Sequence, residues 1–588
     1  MALKSNKVRI AQHIEVNWVA DRNDAARCPN CGSDDLAPRL LEIDYRPPGK
    51  GYTFTVNACS HCGAKFFDNT DTMDYGTDEL IEIGWHVYQI QIGAGLWTIA
   101  RPLTRIDKPE GARMLEIGGA YGFGLDFGIR ARDWTGVGYD PSPLAAFGAS
   151  ELGLDLKQDY FEEKDLGEGP YDVIIATEVI EHLPDPPAFL RLMFRAIAPD
   201  GILLLTTPDG EKMTPALAAA ELLPMLSPGA HLVLQTAASL QLALRRAGFA
   251  YVEIEQNGLS LVAYASASPF LLHDAAGRSR ALYRRYLVER GLAGALSSDL
   301  CFGFAGRGLF ESVNDGDFAA AEAAWNTLLA AAGPRFNIDL ERITALPAGA
   351  AQASLAQLHR LMPLGLGMIL YSRALWLLAQ GVARAEALPL LRLAAAALDA
   401  LQAALARRSL TDGLSADLRG ATEVEIILCL AEAGDPASVS AVIALWRRDD
   451  AHIVTAWRAF ISLVNAACFT QALSLQQTAG LYSPQDHLNA GLRQDALFTT
   501  GVLALQERAD WPRAIAIFAQ LRQLLLQSMP DNNEPGHLFW PALRGEVMGL
   551  RNLGRQDEAD ALLRKCIPAY AGAPADLCRQ LPGADQMS

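Results

Sequence analysis

The sequence predicts an α/β domain on a doubly wound parallel sheet, set between a small cysteine-paired module and an all-α region. Three observations carry this. Two C-x2-C pairs lie in the first 75 residues; short apolar runs bounded by Gly, Asp or Pro alternate with helical patterns from 78 to about 268; and 269–588 is rich in Ala, Leu and Arg with almost no β-branched runs. The expected domains are 1–75, 76–268 and 269–588. With 588 residues, half of them apolar and 20% charged, the chain can bury large cores, which excludes disorder, collagen and a disulfide scaffold. Acidic residues outnumber basic ones by 67 to 50, so the −17 field repels phosphate backbones and anionic membranes, and a nucleic-acid partner is not expected. The opening MALKSNKVRIAQHIE has no signal-peptide core, and Arg392 and Asp399 interrupt the long apolar stretches. Five of the nine cysteines are scattered through helical sequence, which suits a reducing compartment; the expectation is a cytoplasmic protein without membrane insertion.

Taken in order, Cys28-Pro-Asn-Cys31 and Cys59-Ser-His-Cys62 are separated by 27 residues, and Gly32 and Gly63 follow the two pairs. Each glycine allows a tight turn that aims two thiolates at one point. Four thiolates suit tetrahedral zinc, and with no position left for water such a site folds the chain rather than doing chemistry. The segment resembles a zinc ribbon.

In the middle zone the strand-sized runs are Met114–Gly118, Trp134–Tyr139, Tyr171–Thr177, Gly201–Thr206, Phe249–Glu255 and Leu259–Ala265. Helical patterns separate most of them, so the sheet is parallel and covered on both faces, and the last two runs form an antiparallel pair that closes it. The first run leads straight into Gly118-Gly119-Ala120-Tyr121-Gly122, a turn that lets backbone approach a ligand. Strand two ends at Asp140, and an acid there can accept two ribose hydroxyls.

These features, in this order, resemble class I S-adenosylmethionine-dependent methyltransferases over about 110–268. Glu116, Gly118 and Gly122 match the family's E/D-x-G-x-G-x-G, with Ala120 in place of the middle glycine. The resemblance implies a Rossmann-like seven-stranded sheet that binds S-adenosylmethionine. It implies ribose contacts from Asp140, adenine contacts from Asp159 and Tyr160 at the end of strand three, and further cofactor contacts from Thr177 and Glu178 after strand four.

Strand four runs into Glu178-Val179-Ile180-Glu181-His182, which read as a first helical turn puts 178, 181 and 182 on one face. His231 precedes a helix expected at 236–247. This resembles the Glu-x-x-Glu-His plus distant His of metal-dependent O-methyltransferases, those of the ubiquinone pathway and of small-RNA 2′-O-methylation. The resemblance implies a divalent cation, magnesium or manganese, held by Glu178, Glu181, His182 and His231. Without metal, His182 or His231 would be the general base, with Glu181 beside it. Residues 78–103, with Trp85, Tyr88 and Trp97, are expected to fold as a helix over the cofactor pocket.

In the last zone Trp511, Ala514, Ile515, Phe518, Leu521 and Leu525 follow i, i+3, i+4, i+7. Turns at Gly316-Asp317, Gly434-Asp435, Ala509-Asp510 and Gly554-Arg555 precede similar helices and resemble tetratricopeptide units at irregular spacing; a plain helical bundle is the alternative. His273, His359, His452, His487 and His537 stand alone and are expected at the surface or capped. The function expected is O-methylation of a sugar or glycan-precursor hydroxyl, with the helical region binding a protein partner or a second copy. A protein or RNA acceptor, a sugar C-methyltransferase and a non-catalytic scaffold are the alternatives.

Overall fold

The computed structural model describes residues 6–11, 14–19, 27–35, 40–46, 51–68, 75–76, 83–273, 276–294, 296–408, 410–433, 435–444, 450–481, 488–506, 510–527, 529, 535–570 and 572–580. The chain gathers into two compact units, Met1–Ser372 with Ala400–Asp412, and Arg373–Asp399 with Gly413–Ser588.

The first unit begins with strands β1 (Asn6–Ala11), β2 (Ile14–Trp18), β3 (Leu41–Tyr45), β4 (Tyr52–Ala58) and β5 (Lys65–Phe67), each antiparallel to the next. Period-two patterning explains the sheet: Ile14, Val16, Leu41, Ile43, Phe54 and Val56 are buried, and Glu15, Glu42 and Thr55 between them are not. Helices α1 (Ile83–Gly93) and α2 (Trp97–Thr104) follow.

Next come β6 (Arg113–Ile117), α3 (Phe123–Arg132), β7 (Thr135–Tyr139), α4 (Leu144–Leu152), β8 (Leu156–Lys157), β9 (Tyr171–Thr177), α5 (Pro186–Ala196), β10 (Ile197–Pro208), α6 (Ala219–Leu226), β11 (Val233–Leu234), α7 (Ala237–Ala247), β12 (Tyr251–Asn257) and β13 (Ser260–Ser266). Seven of these strands form one sheet in the order β12-β13-β10-β9-β6-β7-β8. The last five in that order pair in parallel, whereas β13 runs antiparallel to β10 and to β12. Successive residues feed opposite faces: Met114, Val173, Ile175 and Leu204 enter one core, and Leu115, Ile174, Leu203 and Leu205 the other. This is the Rossmann-like sheet expected. Its chain order reverses on either side of β6, which opens a crevice at the carboxyl ends of β6 and its neighbours.

Strand β11 does not join this sheet. It pairs antiparallel with β5, Val233 opposite Phe66 and Leu234 opposite Lys65, and becomes the sixth strand of the N-terminal sheet. Helices α8 (Ala276–Leu292), α9 (Ser298–Asn314) and α10 (Phe318–Phe336) follow; Tyr283, Tyr286, Leu287, Leu300 and Phe304 share a core with Met114, Tyr121 and Phe123. Asp126 of α3, fully buried, accepts from Tyr286 Oη at 2.6 Å and Arg290 Nε at 2.9 Å.

The second unit is helical. Asp450–Asn465 leads into Phe469–Ala479, Ala490–Gln506 into Trp511–Gln527, and Phe539–Asn552 into Gln556–Cys566. Of the expected stripe, Ala514, Phe518, Leu521 and Leu525 are buried. Gly554 takes the left-handed turn conformation that its place before a new helix requires, and in the unit that the sequence did not disclose Ala467 takes it without being glycine. Gly434, Ala509 and His487 lie outside the described residues, as does the side chain of His452. His359 is buried rather than superficial, packed into a short helix at Leu355–Leu361. Among the described residues one helix, Arg384–Ala406, is long and apolar enough to cross a membrane, but a core helix passes the same test, and its Asp399 pairs with Arg419 at 2.7 Å.

Candidate active site

A cavity of about 520 Å³ opens where β6, β7 and β9 end. Gly118 and Ala120 line it from the turn after β6, Asp140 from the end of β7, Asp159 and Tyr160 from beyond β8, and Glu178 and His182 from beyond β9. Gly118 stands at φ +66°, and a Cβ there would come within 2.5 Å of Val179 Cγ2. Ala120 also takes a left-handed φ, +48°, the conformation that favours glycine at that place. Its N–H donates to Asp140 Oδ2 at 2.7 Å, while Oδ1 receives the Ser142 N–H at 2.8 Å and the Ser142 hydroxyl. Asp140 is thus held, nearly buried, with its carboxylate at the pocket wall. Strand β8 stops at Lys157, and Asp159 turns its carboxylate onto the Tyr160 N–H at 2.8 Å, leaving the Tyr160 ring exposed.

Three of the residues expected at the cofactor do not line the cavity. Glu116 points beneath the glycine turn, where Oε2 accepts the Leu125 N–H at 2.9 Å; a Cβ on Gly119 would come within 2.4 Å of this carboxyl and one on Gly124 within 2.3 Å. Its acidity organises the start of α3. Burial pushes its pKa up to about 7. Gly122 faces Leu154 and Leu156, and Thr177 belongs to the ladder of β9 with β10. The pocket also takes residues that no motif signalled: Tyr75, Gln89, Ser142, Phe161, Leu183 and Phe189. Of the segment expected to cover it, Gln89 reaches the cavity, Trp97 packs on Tyr283 at 4.8 Å, and residues 78–82 and the Trp85 side chain lie outside the described residues.

The Glu-x-x-Glu-His segment is not the first turn of an α-helix. Glu178 takes a left-handed φ of +53°, and a 3-10 turn covers Ile180–His182, because the chain must leave β9 and drop its polar groups into the crevice. Glu178 stays beside Glu181 but does not join the donor group that Glu181 forms with His182 and His231. Its Oε1 accepts from Thr206 Oγ1 at 2.9 Å. Glu181 is fully buried; Oε2 accepts from Thr207 Oγ1 at 3.0 Å and Oε1 has no hydrogen-bond partner. Burial pushes both carboxyls up, Glu181 well above its usual value, where the Glu178 charge adds to the effect.

His182 and His231 meet edge to face, ring centres 4.7 Å apart. Each has Nδ1 at a backbone carbonyl, His182 at Ala230 O (3.0 Å) and His231 at Met225 O (2.7 Å). A carbonyl can only accept, so each Nδ1 carries the proton and each Nε2 the lone pair. Tyr75 Oη lies 2.8 Å from the same His182 nitrogen. Burial lowers both imidazoles, His231 to about 4, which keeps them neutral. One donor atom each from Glu181, His182 and His231 fall within 4.8 Å of one another. An unpartnered buried carboxylate oxygen and two neutral imidazoles locked by carbonyls fit a divalent cation; Glu178 is not in the group. Only His182 of the three reaches the cavity, with His231 and Glu181 behind it.

The four cysteines of the N-terminal module also converge, with Cys28 Sγ 3.7 Å from Cys62 Sγ and Cys31 Sγ 3.6 Å from Cys59 Sγ. Zinc–sulfur bonds of about 2.3 Å set tetrahedral thiolates about 3.8 Å apart, so the donor set fits zinc. Gly32 and Gly63, both at positive φ, donate to the Cys28 and Cys59 carbonyls at 2.8 and 2.9 Å, which makes the two knuckles alike.

Residues 97–254, which carry the crevice and most of its sheet, match the family model described as a methyltransferase domain. Over 132 residues the chain is 33% identical to a ubiquinone biosynthesis O-methyltransferase of Caulobacter sp. (strain K31), covering 21% of this chain and 52% of that one. A probable S-adenosylmethionine-dependent methyltransferase of Mycolicibacterium smegmatis is 32% identical over 106 residues, 18% of this chain and 41% of its own length. The chain thus spans about half the length of these relatives. A solved O-methyltransferase family protein from Burkholderia thailandensis is 17% identical, with 34% of this chain and 65% of that one covered and a TM-score of 0.26.

Proposed function

We propose that the protein transfers the methyl group of S-adenosylmethionine to a hydroxyl of a small molecule, a sugar or glycan precursor. The observation that carries this is His182: a neutral imidazole, its Nδ1 held by a backbone carbonyl, at the wall of the cavity that also holds Gly118, Ala120 and Asp140. Asp140 would hold the ribose, and Asp159 and Tyr160 the adenine edge and face. As the acceptor oxygen attacks in line, the bond from sulfur to methyl carbon breaks, a carbon–oxygen bond forms, and S-adenosylhomocysteine leaves. With no cation bound, the hydroxyl proton goes to His182 Nε2 or to His231. A divalent cation, when bound by Glu181, His182 and His231, would take the Nε2 lone pair instead and lower the pKa of the hydroxyl, whose proton would then pass to solvent.

The rings of Tyr75 and Phe189 and the amide of Gln89 suit a sugar, which offers apolar faces and polar edges. The apolar Leu183, Pro184 and Val179, together with the relative named a ubiquinone biosynthesis O-methyltransferase, favour a second reading, a phenolic hydroxyl. The Cys28, Cys31, Cys59 and Cys62 site binds structural zinc. The helical hairpins of the second unit supply the surface for a protein partner or a second copy. All nine cysteines are free, in keeping with a cytoplasmic location.

The test is transfer of labelled methyl into a cell extract separated into small-molecule, glycan, protein and RNA fractions, with magnesium and with chelator. Label in the small-molecule or glycan fraction is expected, and sensitivity to chelator would support the cation. Asp140→Ala should weaken cofactor binding at least ~10-fold, a loss of about 1.4 kcal/mol. His182→Gln should cut turnover about 100-fold and leave cofactor binding within about twofold. Label in protein or RNA would refute the small-molecule reading. No label in any fraction would favour a non-catalytic scaffold.

A further inference from the structure

The N-terminal module is not attached beside the methyltransferase sheet; it is built into the loop that supplies His231. Leu232 shows this best, because its N–H donates to Glu181 O at 2.7 Å while its own carbonyl receives the Phe67 N–H at 2.9 Å. One residue therefore links the Glu-x-x-Glu-His turn to strand β5 of the cysteine module. Both backbone anchors of His231 belong to the module's cores. Met225, whose carbonyl holds His231 Nδ1, packs with Val16, Ile43, Phe54 and Phe67, and Leu232 packs with Cys28, Cys59, Cys62 and Phe66. Ala230, whose carbonyl holds His182, lies between them.

The knuckles reach the same loop. Asn30, between Cys28 and Cys31 and 2% exposed, donates to Ser239 O at 3.2 Å, accepts from Gln235 Nε2 at 3.0 Å and points the same amide nitrogen at Cys62 Sγ, 3.8 Å away. Gln235 in turn accepts from Ser239 Oγ at 2.7 Å, and its carbonyl receives the Gly210 N–H at 2.7 Å. At the second knuckle a Cβ on Gly63 would come within 3.2 Å of Thr236 Oγ1, so the turn lies against the residue that caps α7. Lys65 donates to Gly210 O and, at 3.3 Å, to Met213 O. A free loop of this length would have to lose its conformational entropy when the acceptor binds; here the module has already removed it.

We infer that the Cys28–Cys31–Cys59–Cys62 module assembles the acceptor side of the site, with Asn30 and β5 as positioning elements that fix His231, Ala230 and Glu181, while the cofactor side folds without it. Gly118, Ala120 and Asp140 are held by β6 and β7, and the contacts described for them include none to the module. Loading of the cysteine site should therefore control the order of 225–236 and leave cofactor affinity alone. The inference rests on the acceptor-site reading above and adds that the zinc module governs it.

The test is hydrogen–deuterium exchange on the full chain, comparing wild type with Asn30→Ala and Cys59→Ser, with zinc content and S-adenosylmethionine affinity measured on the same samples. In both variants amides of 225–236 should exchange at least ~10-fold faster, while 113–140 and cofactor affinity stay within about twofold. If Cys59→Ser does not fold, Asn30→Ala, which keeps all four thiols, carries the test, and Asn30→Asp, which keeps the oxygen that receives Gln235, should fall between it and wild type. Unchanged exchange over 225–236 would make the module an appendage and overturn the inference. An equal rise over 113–140 would make it a general stabiliser and overturn it as well. Zinc missing from the wild-type chain would overturn control by loading of the cysteine site, and the Asn30 comparison, which needs no metal, would still decide whether the module positions the loop.

Discussion

Glu116 shows how a residue can match a motif and play a different part. The sequence pointed to it as a cofactor ligand, yet its carboxyl is buried beneath the turn, where Gly119 and Gly124 leave room for it. The motif's small residues serve two neighbours, the ligand above and the acid below. A carboxyl raised from 4.5 to about 7 in the folded protein costs nothing while both states are protonated. As the pH rises through that window the unfolded state releases its proton first, so stability falls, by on the order of 3 kcal/mol once both are ionised. Glu116→Gln should therefore gain stability over wild type at pH 8 and show little gain at pH 5, read from denaturant midpoints without cofactor. A gap of equal size at both pH values would refute the assignment. Asp140 and His182 were legible because strand ends and a following polar cluster are sequence-local. Tyr75 and Gln89 were not, since neither belongs to a pattern and only the packing of distant segments brings them to the pocket.

Among the elements, strands with strong apolar runs were legible to within a few residues: 113–117, 135–139, 171–177 and the closing pair 251–257 and 260–266. Strand β8 is two residues long, and strand β11, equally short, carries no signal that a window of sequence could resolve. The turn at 178–182 was expected to be helical because its i, i+3, i+4 spacing ignores the left-handed Glu178. In the helical unit the stripe around Phe518 was legible, but what it packs against was not. Gly501 and Gly545 face it from two other helices, where added Cβ atoms would come within 2.7 and 2.4 Å of the ring. Phe518 thus occupies space that only glycine leaves. Gly545→Ala should lower stability of this unit by about 1–3 kcal/mol, because an aromatic ring wedged from both sides cannot move away. A thermal or denaturant unfolding midpoint equal to that of wild type would contradict the wedge.

Across the whole molecule, burial ties segments far apart in the chain. Asp126 lies in α3 and Arg290 in α8, both buried, and with Tyr286 they fasten the helices that follow the last strand onto the sheet. Arg290→Met should cost about 3–5 kcal/mol, since it removes the buried cation that donates to Asp126 and leaves only the half-exposed Arg130 at 3.8 Å, and Asp126→Asn in the same chain should recover part of the loss. Unfolding midpoints of the two variants check this, and a single variant as stable as wild type would argue against the tie.

The sequence by itself determined the parts: four thiols at ligand spacing, a doubly wound sheet with a glycine turn and an acid after the next strand, and helical hairpins marked by small residues and turns. These follow from local rules, in which periodicity sets burial and turn chemistry sets boundaries. Only the tertiary structure decided which of these parts meet. It moved Glu116 beneath the turn, left Glu178 outside the group of Glu181, His182 and His231, and gave β11 to the cysteine module rather than to the neighbouring sheet. The physical reason is that edge pairing, the fate of an unpartnered buried carboxylate and the carbonyls that lock two imidazoles depend on residues remote in sequence. No local pattern encodes those distances.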